Sequence, residues 1–160
     1  MPSPRCTTVC VTLEITCLGY GNMRTEFETT IDRPPSVVFK FFAVDHVRNH
    51  PRWDPKMELE QLTDGPIGLG TVIRRRHTHT GAPVEGTMEI VEFVADHAFG
   101  MVIRDGPIEM HTRMVFEPEG DNRTKLTGSI DVPSMTEPMD PGPIQQSMRR
   151  MKELIESETT

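Results

Sequence analysis

Cysteine is scarce and confined to one end: Cys6, Cys10 and Cys17 are all the chain has in 160 residues. An odd count in the first stretch cannot staple the remainder, so the fold must rest on its core, and a reducing, cytoplasmic setting is expected. Their spacings also lack the paired CxxC pattern of a zinc site. Long apolar runs are missing: nothing approaches the roughly 18 residues of a membrane span, and mean hydropathy is −0.40. Basic residues are outnumbered, 17 Lys and Arg against 24 Asp and Glu, for a net charge of −7. That balance argues against nonspecific nucleic-acid binding, and the cluster Arg74–Arg76 is too short to reverse it. Motifs of nucleophilic catalysis are absent as well. There is no GxSxG, no cysteine beyond Cys17, and no glycine loop followed by Lys-Ser/Thr. GPIGLG resembles a dinucleotide fingerprint only superficially, because a strand rather than a helix follows it.

What is present reads as one domain over residues 23–160, preceded by an extension over residues 1–22 that is expected to be weakly ordered and dispensable. The apolar segment VCVTLEITCLG is interrupted by Glu14 and lacks a basic leader, so it does not read as a signal peptide. From Thr25 to Ile31, Phe27, Thr29 and Ile31 alternate with polar residues, as a half-buried strand does. Pro34 and Pro35 then open a short helix carrying Val38, Phe41 and Phe42, and a second short piece spans Val47–His50, ending before Pro51. Trp53 plugs one end of the core. Six more strands follow over 56–63, 70–80, 86–94, 98–104, 109–117 and 124–132, divided by short turn-rich separators that imply antiparallel hairpins. Near the C-terminus, Ile144, Met148, Met151 and Ile155 form the stripe of a long amphipathic helix. The expected class is α+β: a seven-stranded curved antiparallel sheet wrapped around the C-terminal helix, with a cavity between them.

The chain resembles the Bet v 1-like (START-related, SRPBCC) superfamily, and within it the small polyketide cyclase/dehydrase-type proteins. The residues that carry the likeness are TTIDRPPSVVFKFF, HPRWDP with Trp53, the turn TDGPIGLGT, EIVEFVADHAFGM and VFEPEGDNRTKLT, over about residues 24–157. The resemblance implies the helix-grip fold and the binding of lipid- or polyketide-like hydrophobic molecules, with some members acting as enzymes. One departure stands out: the strand after the glycine turn is RRRHTHT, unusually polar for a cavity wall.

In similar folds that strand points alternate side chains into the cavity, which implies Thr71, Ile73, Arg75, His77 and His79 inward. Matching parity on the next strand implies Thr87, Glu89 and Val91 inward, and a symmetric hairpin near Pro83 would set His77 opposite Glu89. A histidine–carboxylate pair there would suit a general acid/base. Met88 and Ile90 occupy the opposite parity, however, and hydrophobicity alone would turn this strand over. His77 and His79 could also reach a metal with Glu89 or His111, but most such pairs on strands bind nothing, and neither metal nor cofactor is expected. Arg75 could anchor an anionic head group or stabilise an enolate; the alternative is a surface arginine paired with Glu89 or Glu92. The apolar lining is expected from Ile73, Val91, Phe99, Met101, Ile103, Met114, Phe116, Met148, Met151 and Ile155, with His79 beside them. Eleven methionines suit an adaptable pocket.

Three functional readings follow. The first is a carrier or sensor of a small hydrophobic molecule, as monomer or homodimer. The second is a cyclase or dehydratase using His77 as acid/base and Arg75 as oxyanion stabiliser. The third is a partner-binding stress or toxin–antitoxin module that uses the outer sheet face.

Overall fold

Alternating burial along the strands follows the alternation in the sequence, and it dictates the architecture. The computed structural model describes residues 12–17, 23–137 and 139–158. The strands are β1 (Thr12–Cys17), β2 (Met23–Ile31), β3 (Met57–Gln61), β4 (Val72–His77), β5 (Val84–Val94), β6 (Ala98–Asp105), β7 (Ile108–Pro118) and β8 (Thr124–Val132). The helices are α1 (Pro35–Phe39), α2 (His46–Trp53) and α3 (Gly142–Ser157). All strands lie in one antiparallel sheet of order β1-β2-β8-β7-β6-β5-β4-β3. The seven expected strands are β2 to β8; β1, within the N-terminal extension, pairs with β2 at the sheet edge as an eighth.

The sheet curves around α3, whose Met148, Met151 and Ile155 are buried in the same core as Phe27, Ile31 and Leu126. Phe39 anchors the opposite end, with ring centroids 5.2 Å from both Phe93 and Phe116 in edge-to-face contact. The outer sheet face is laced by exposed ion pairs, among them Arg74 with Glu60, Arg76 with Glu58 and Arg113 with Glu92. Each adds little stability, but together they keep that face solvated.

Two local departures shape the site. Between α1 and α2 the chain makes a π-helical turn over Lys40–Val44, in which the Asp45 N–H reaches the Lys40 carbonyl at 2.9 Å. The Phe41 and Phe42 carbonyls on this turn accept side-chain bonds from Asn49 Nδ2 at 2.9 Å and His46 Nδ1 at 2.7 Å. The second helical piece also runs farther than the sequence implied. It continues through Pro51 to Trp53, forgoing one backbone bond at the proline. Tertiary packing compensates: the Trp53 ring stacks on Phe42 at 5.4 Å and on His50 at 4.9 Å.

Gly128 on β8 sits directly between Phe27 on β2 and Met114 on β7. A Cβ there would lie 2.3 Å from Phe27 Cζ and 2.6 Å from Met114 Sδ. Both large side chains therefore lie over the glycine and form part of the inner wall. Gly128→Ala should push them inward, costing about 1–3 kcal/mol in urea unfolding and narrowing the space between sheet and α3.

Candidate functional site

Strand β4 carries the polar wall. Ile73, Arg75 and His77 are buried, while Arg74 and Arg76 face outward into their ion pairs. The neighbouring strand takes the opposite parity to the one that would pair His77 with a carboxylate. The register sets Ile73 opposite Met88, Arg75 opposite Gly86 and His77 opposite Val84. Met88 and Ile90 fill the inner face. Glu89 is 44% exposed and binds Arg104 on the outside, and Val91 is 46% exposed. The expected His77–Glu89 pair and the Val91 contact are thus corrected. Burying two apolar side chains is favourable, whereas burying Glu89 would strip a carboxylate of water.

The carboxylate that meets His77 comes from two strands away. Asp105, the last residue of β6, accepts from His77 Nε2 at 3.0 Å and pairs through its other oxygen with Arg75 Nε at 3.3 Å. Gly86 permits this reach across β5. A Cβ at residue 86 would stand 2.0 Å from Asp105 Oδ1 and 2.3 Å from the Arg104 carbonyl oxygen. Only a bare backbone lets the carboxylate pass over β5 to β4. His77 is consequently tied behind the cavity wall and does not line it.

Helix α2 supplies a second polar group. His46 and His50 stand one helical turn apart, so their rings meet on one face. His46 Nδ1 bonds the Phe42 carbonyl at 2.7 Å, and His46 Nε2 lies 3.0 Å from His50 Nδ1. Complete burial lowers the His46 pKa to about 4, against which the bond to Phe42 acts only partly, so the ring is neutral at pH 7. A neutral ring facing a carbonyl through Nδ1 must carry its proton there. His46 Nε2 is then an acceptor, His50 Nδ1–H donates to it, and His50 Nε2 is left bare. Burial above all, followed by the coulombic influence of its basic neighbours, Arg75 among them, holds His50 well below the usual histidine range. The bare Nε2 lies 4.0 Å from Asp54 Oδ2, and Asp54 accepts from His79 Nε2 at 2.8 Å. For Arg75, burial lowers the pKa, and the Asp105 and Asp54 carboxylates oppose that shift.

These groups close one end of a cavity of about 730 Å3 between the sheet and α3. Its apolar wall includes Phe27, Met88, Met101, Ile103, Met114, Ile144 and Met148, and its polar end includes His46, His50, Asp54, Arg75 and His79. Of the sequence-derived candidates, Arg75, His79, Met101, Ile103, Met114 and Met148 are on the wall. Ile73, Phe99, Phe116, Met151 and Ile155 are buried in the core instead. The HxH pair does not converge on one point. The rings of His77 and His79 stack at 4.7 Å and turn to different carboxylates, while His111 bonds Glu109 on the surface. Sequence reasoning missed His46, His50 and Asp54. The available signal was the i, i+4 histidine pair in DHVRNHPRWD, which reads as one face once the helix is begun at His46 rather than at Val47.

An antiparallel sheet gripping one long helix, with an apolar cavity between them, defines a helix-grip protein. Residues 23–156 match the family described as polyketide cyclase / dehydrase and lipid transport, and the chain belongs to that family. Among solved structures, Ara h 8.0201 aligns with a TM-score of 0.70 at 20% identity, over 86% of this chain and 100% of that one. Norcoclaurine synthase from Thalictrum flavum, in complex with dopamine and hydroxybenzaldehyde, aligns with a TM-score of 0.69 at 14% identity, over 93% and 99%. Major latex-like protein 151 from Panax ginseng gives 0.67 at 16% identity, over 86% and 97%. Identities this low establish the Bet v 1-like fold alone. No curated protein matches the chain in sequence. Fold, family and cavity together support hydrophobic-ligand binding in general. Among the described residues, no helix is long and apolar enough to cross a membrane.

Proposed function

We propose that this protein carries or senses a small, largely apolar molecule bearing one anionic or carbonyl oxygen, with that oxygen seated against Arg75. The observation that supports this reading most directly is the state of the guanidinium. Its side chain is only 7% exposed, its nearest carboxylate is Asp105 at 3.3 Å, and it lines the cavity. Among the described residues no acceptor lies in hydrogen-bonding geometry to it, and its Nε is buried without one. A buried cation with donors to spare attracts an oxygen anion or a polarised carbonyl. The methionine-rich wall then accommodates the apolar remainder.

Two fluorescent probes of similar apolar size test this. Anilinonaphthalene sulfonate carries a negative charge, and N-phenylnaphthylamine is neutral. Arg75→Met should weaken the sulfonate by about 10- to 100-fold, the loss of a charge-assisted hydrogen bond, and leave the neutral probe nearly unchanged. Met101→Trp, which fills the cavity, should abolish both. Equal effects of Arg75→Met on the two probes would remove Arg75 as the anchor.

A further inference from the structure

We propose that His50 is a general base for carbon acids bound in this cavity, with His46 as its positioning partner. The inference rests on the reading of the cavity as a ligand site and gives that site a reaction. The chain of hydrogen bonds runs in one direction. The Phe42 carbonyl at 2.7 Å fixes the proton of His46 on Nδ1, His46 Nε2 at 3.0 Å fixes the proton of His50 on Nδ1, and the His50 lone pair is left at Nε2. The ring plane is held as well, by the stack on Trp53 at 4.9 Å and 15°. Among the described residues His50 Nε2 has no hydrogen-bond partner, and the ring is part of the wall of a cavity lined mainly by apolar side chains.

The surroundings suit proton abstraction on both sides of the step. Before it, burial and the positive charge of Arg75 keep the imidazole neutral at pH 7, so its Nε2 lone pair is free to accept a proton. After it, the new N–H lies 4.0 Å from the Asp54 carboxylate, which is placed to steady the imidazolium. His46 and Asp54 lie on or just beyond α2, Arg75 and His79 come from β4 and the turn after it, Lys56 from the segment before β3, and Asp140 and Arg150 from α3 and its approach. Charge for a developing oxyanion is available from Arg75 on the same wall.

For a ketone the step balances without cofactor or oxidant. The C–H bond next to the carbonyl breaks, its proton bonds to His50 Nε2, its electron pair forms C=C, and the carbonyl pair moves to oxygen as an enolate. Where the ketone carries a β,γ double bond the enolate is conjugated with it, so return of the proton from His50 Nε2 to the γ-carbon re-forms the carbonyl, moves the C=C to the α,β position and restores neutral His50. The substrate class is an apolar, enolisable carbonyl compound.

Nitrobenzisoxazole is a compact carbon acid that reports this chemistry directly. A base removes its ring C–H, the N–O bond breaks, and a coloured nitrile phenolate forms. The purified protein should accelerate this reaction, with a pH–rate profile whose inflection falls below the ordinary histidine value of about 6.5. His50→Gln should lower the rate by about 100-fold or more while N-phenylnaphthylamine still binds, which shows that the cavity is intact. His46→Phe should keep probe binding but move the inflection, a change that loss of packing alone would not produce. Probe binding with no acceleration, an inflection at or above about 6.5, or an unaffected His50→Gln rate would each overturn the base while leaving the binding reading in place. Failure of the wild-type protein to bind either naphthyl probe would overturn the binding reading, and the base with it.

Discussion

Asp105→Ala is expected to cost about 3–5 kcal/mol of folding stability, because it removes the carboxylate paired with the buried Arg75 guanidinium and leaves only the more weakly acting Asp54. Arg75, His77 and Asp105 form a buried polar cluster in which every side chain is less than a tenth exposed. Removing the carboxylate strips His77 Nε2 of its acceptor in the same step. The pair's own net contribution is far smaller than the cost of breaking it, since both ions lost water on folding. The double variant Asp105→Ala/Arg75→Met should therefore recover much of what the single variant loses. Urea unfolding of the two variants beside wild type measures this directly. A single-variant loss below about 1 kcal/mol, or no recovery in the double, would mean that water already reaches the guanidinium. Asp105→Asn, which keeps an acceptor but not the charge, should fall in between. It should also hold the anionic naphthyl probe at least as tightly as wild type, because the internal competitor for Arg75 has gone.

The fold was legible because strand alternation and turn composition are local signals. Phe27-Thr29-Ile31 and Phe99-Met101-Ile103 announce their faces without knowledge of their neighbours, and the Gly- and Pro-rich separators mark hairpins. On β4 the apolar Ile73 sets the parity, and the sequence places Arg75 and His77 on that same face. The partner strand shows where local reasoning stops. A hairpin centred near Pro83 would oppose His77 and Glu89, yet β5 begins at Val84, immediately after the proline that cannot donate to a ladder. The actual register puts a glycine opposite Arg75, and only then does Asp105 become visible as its counter-ion. Read along the chain, Asp105 is a turn residue in RDGP. Its role depends on an absent side chain on another strand, and no window of sequence contains both facts. The division of methionines is equally non-local: Met148 lies on the cavity wall and Met151 in the core, although both belong to one helical stripe.

The histidine pair was hidden by a rule that usually holds. Helices commonly end before proline, so this piece reads as Val47–His50, too short to show a face and with His46 left outside it. Trp53 reverses this. Its indole is buried against Phe41 and Phe42, and holding the last turn in place for that contact brings His50 under the ring. The hydrophobic anchor and the polar relay are thus one construction, in which the aromatic stack supplies the rigidity that a directed lone pair requires.

That construction has a consequence for stability in acid. His46 is fully buried and neutral, with its pKa lowered to about 4 from 6.5 in the unfolded chain. Between those values the unfolded state binds a proton that the folded state refuses, so stability falls as the pH falls. Above about pH 6.5 the contribution is constant; from there to about pH 4 it declines by about 3 kcal/mol, and below that it is again flat. His50 is shifted in the same direction and steepens the loss. Urea midpoints recorded from pH 7 to pH 4 should therefore slope downward on acidification. His46→Gln, which retains an amide donor for the Phe42 carbonyl but does not titrate, should remove a large part of that slope. A variant slope equal to wild type would show that His46 takes up its proton in the folded state. It would also confine the tautomer argument to pH above about 6.5, because in acid a doubly protonated His46 would donate from Nε2 and turn His50 Nδ1 into the acceptor. The acid limb of the stability curve and the direction of the lone pair on His50 are thus fixed by the same proton.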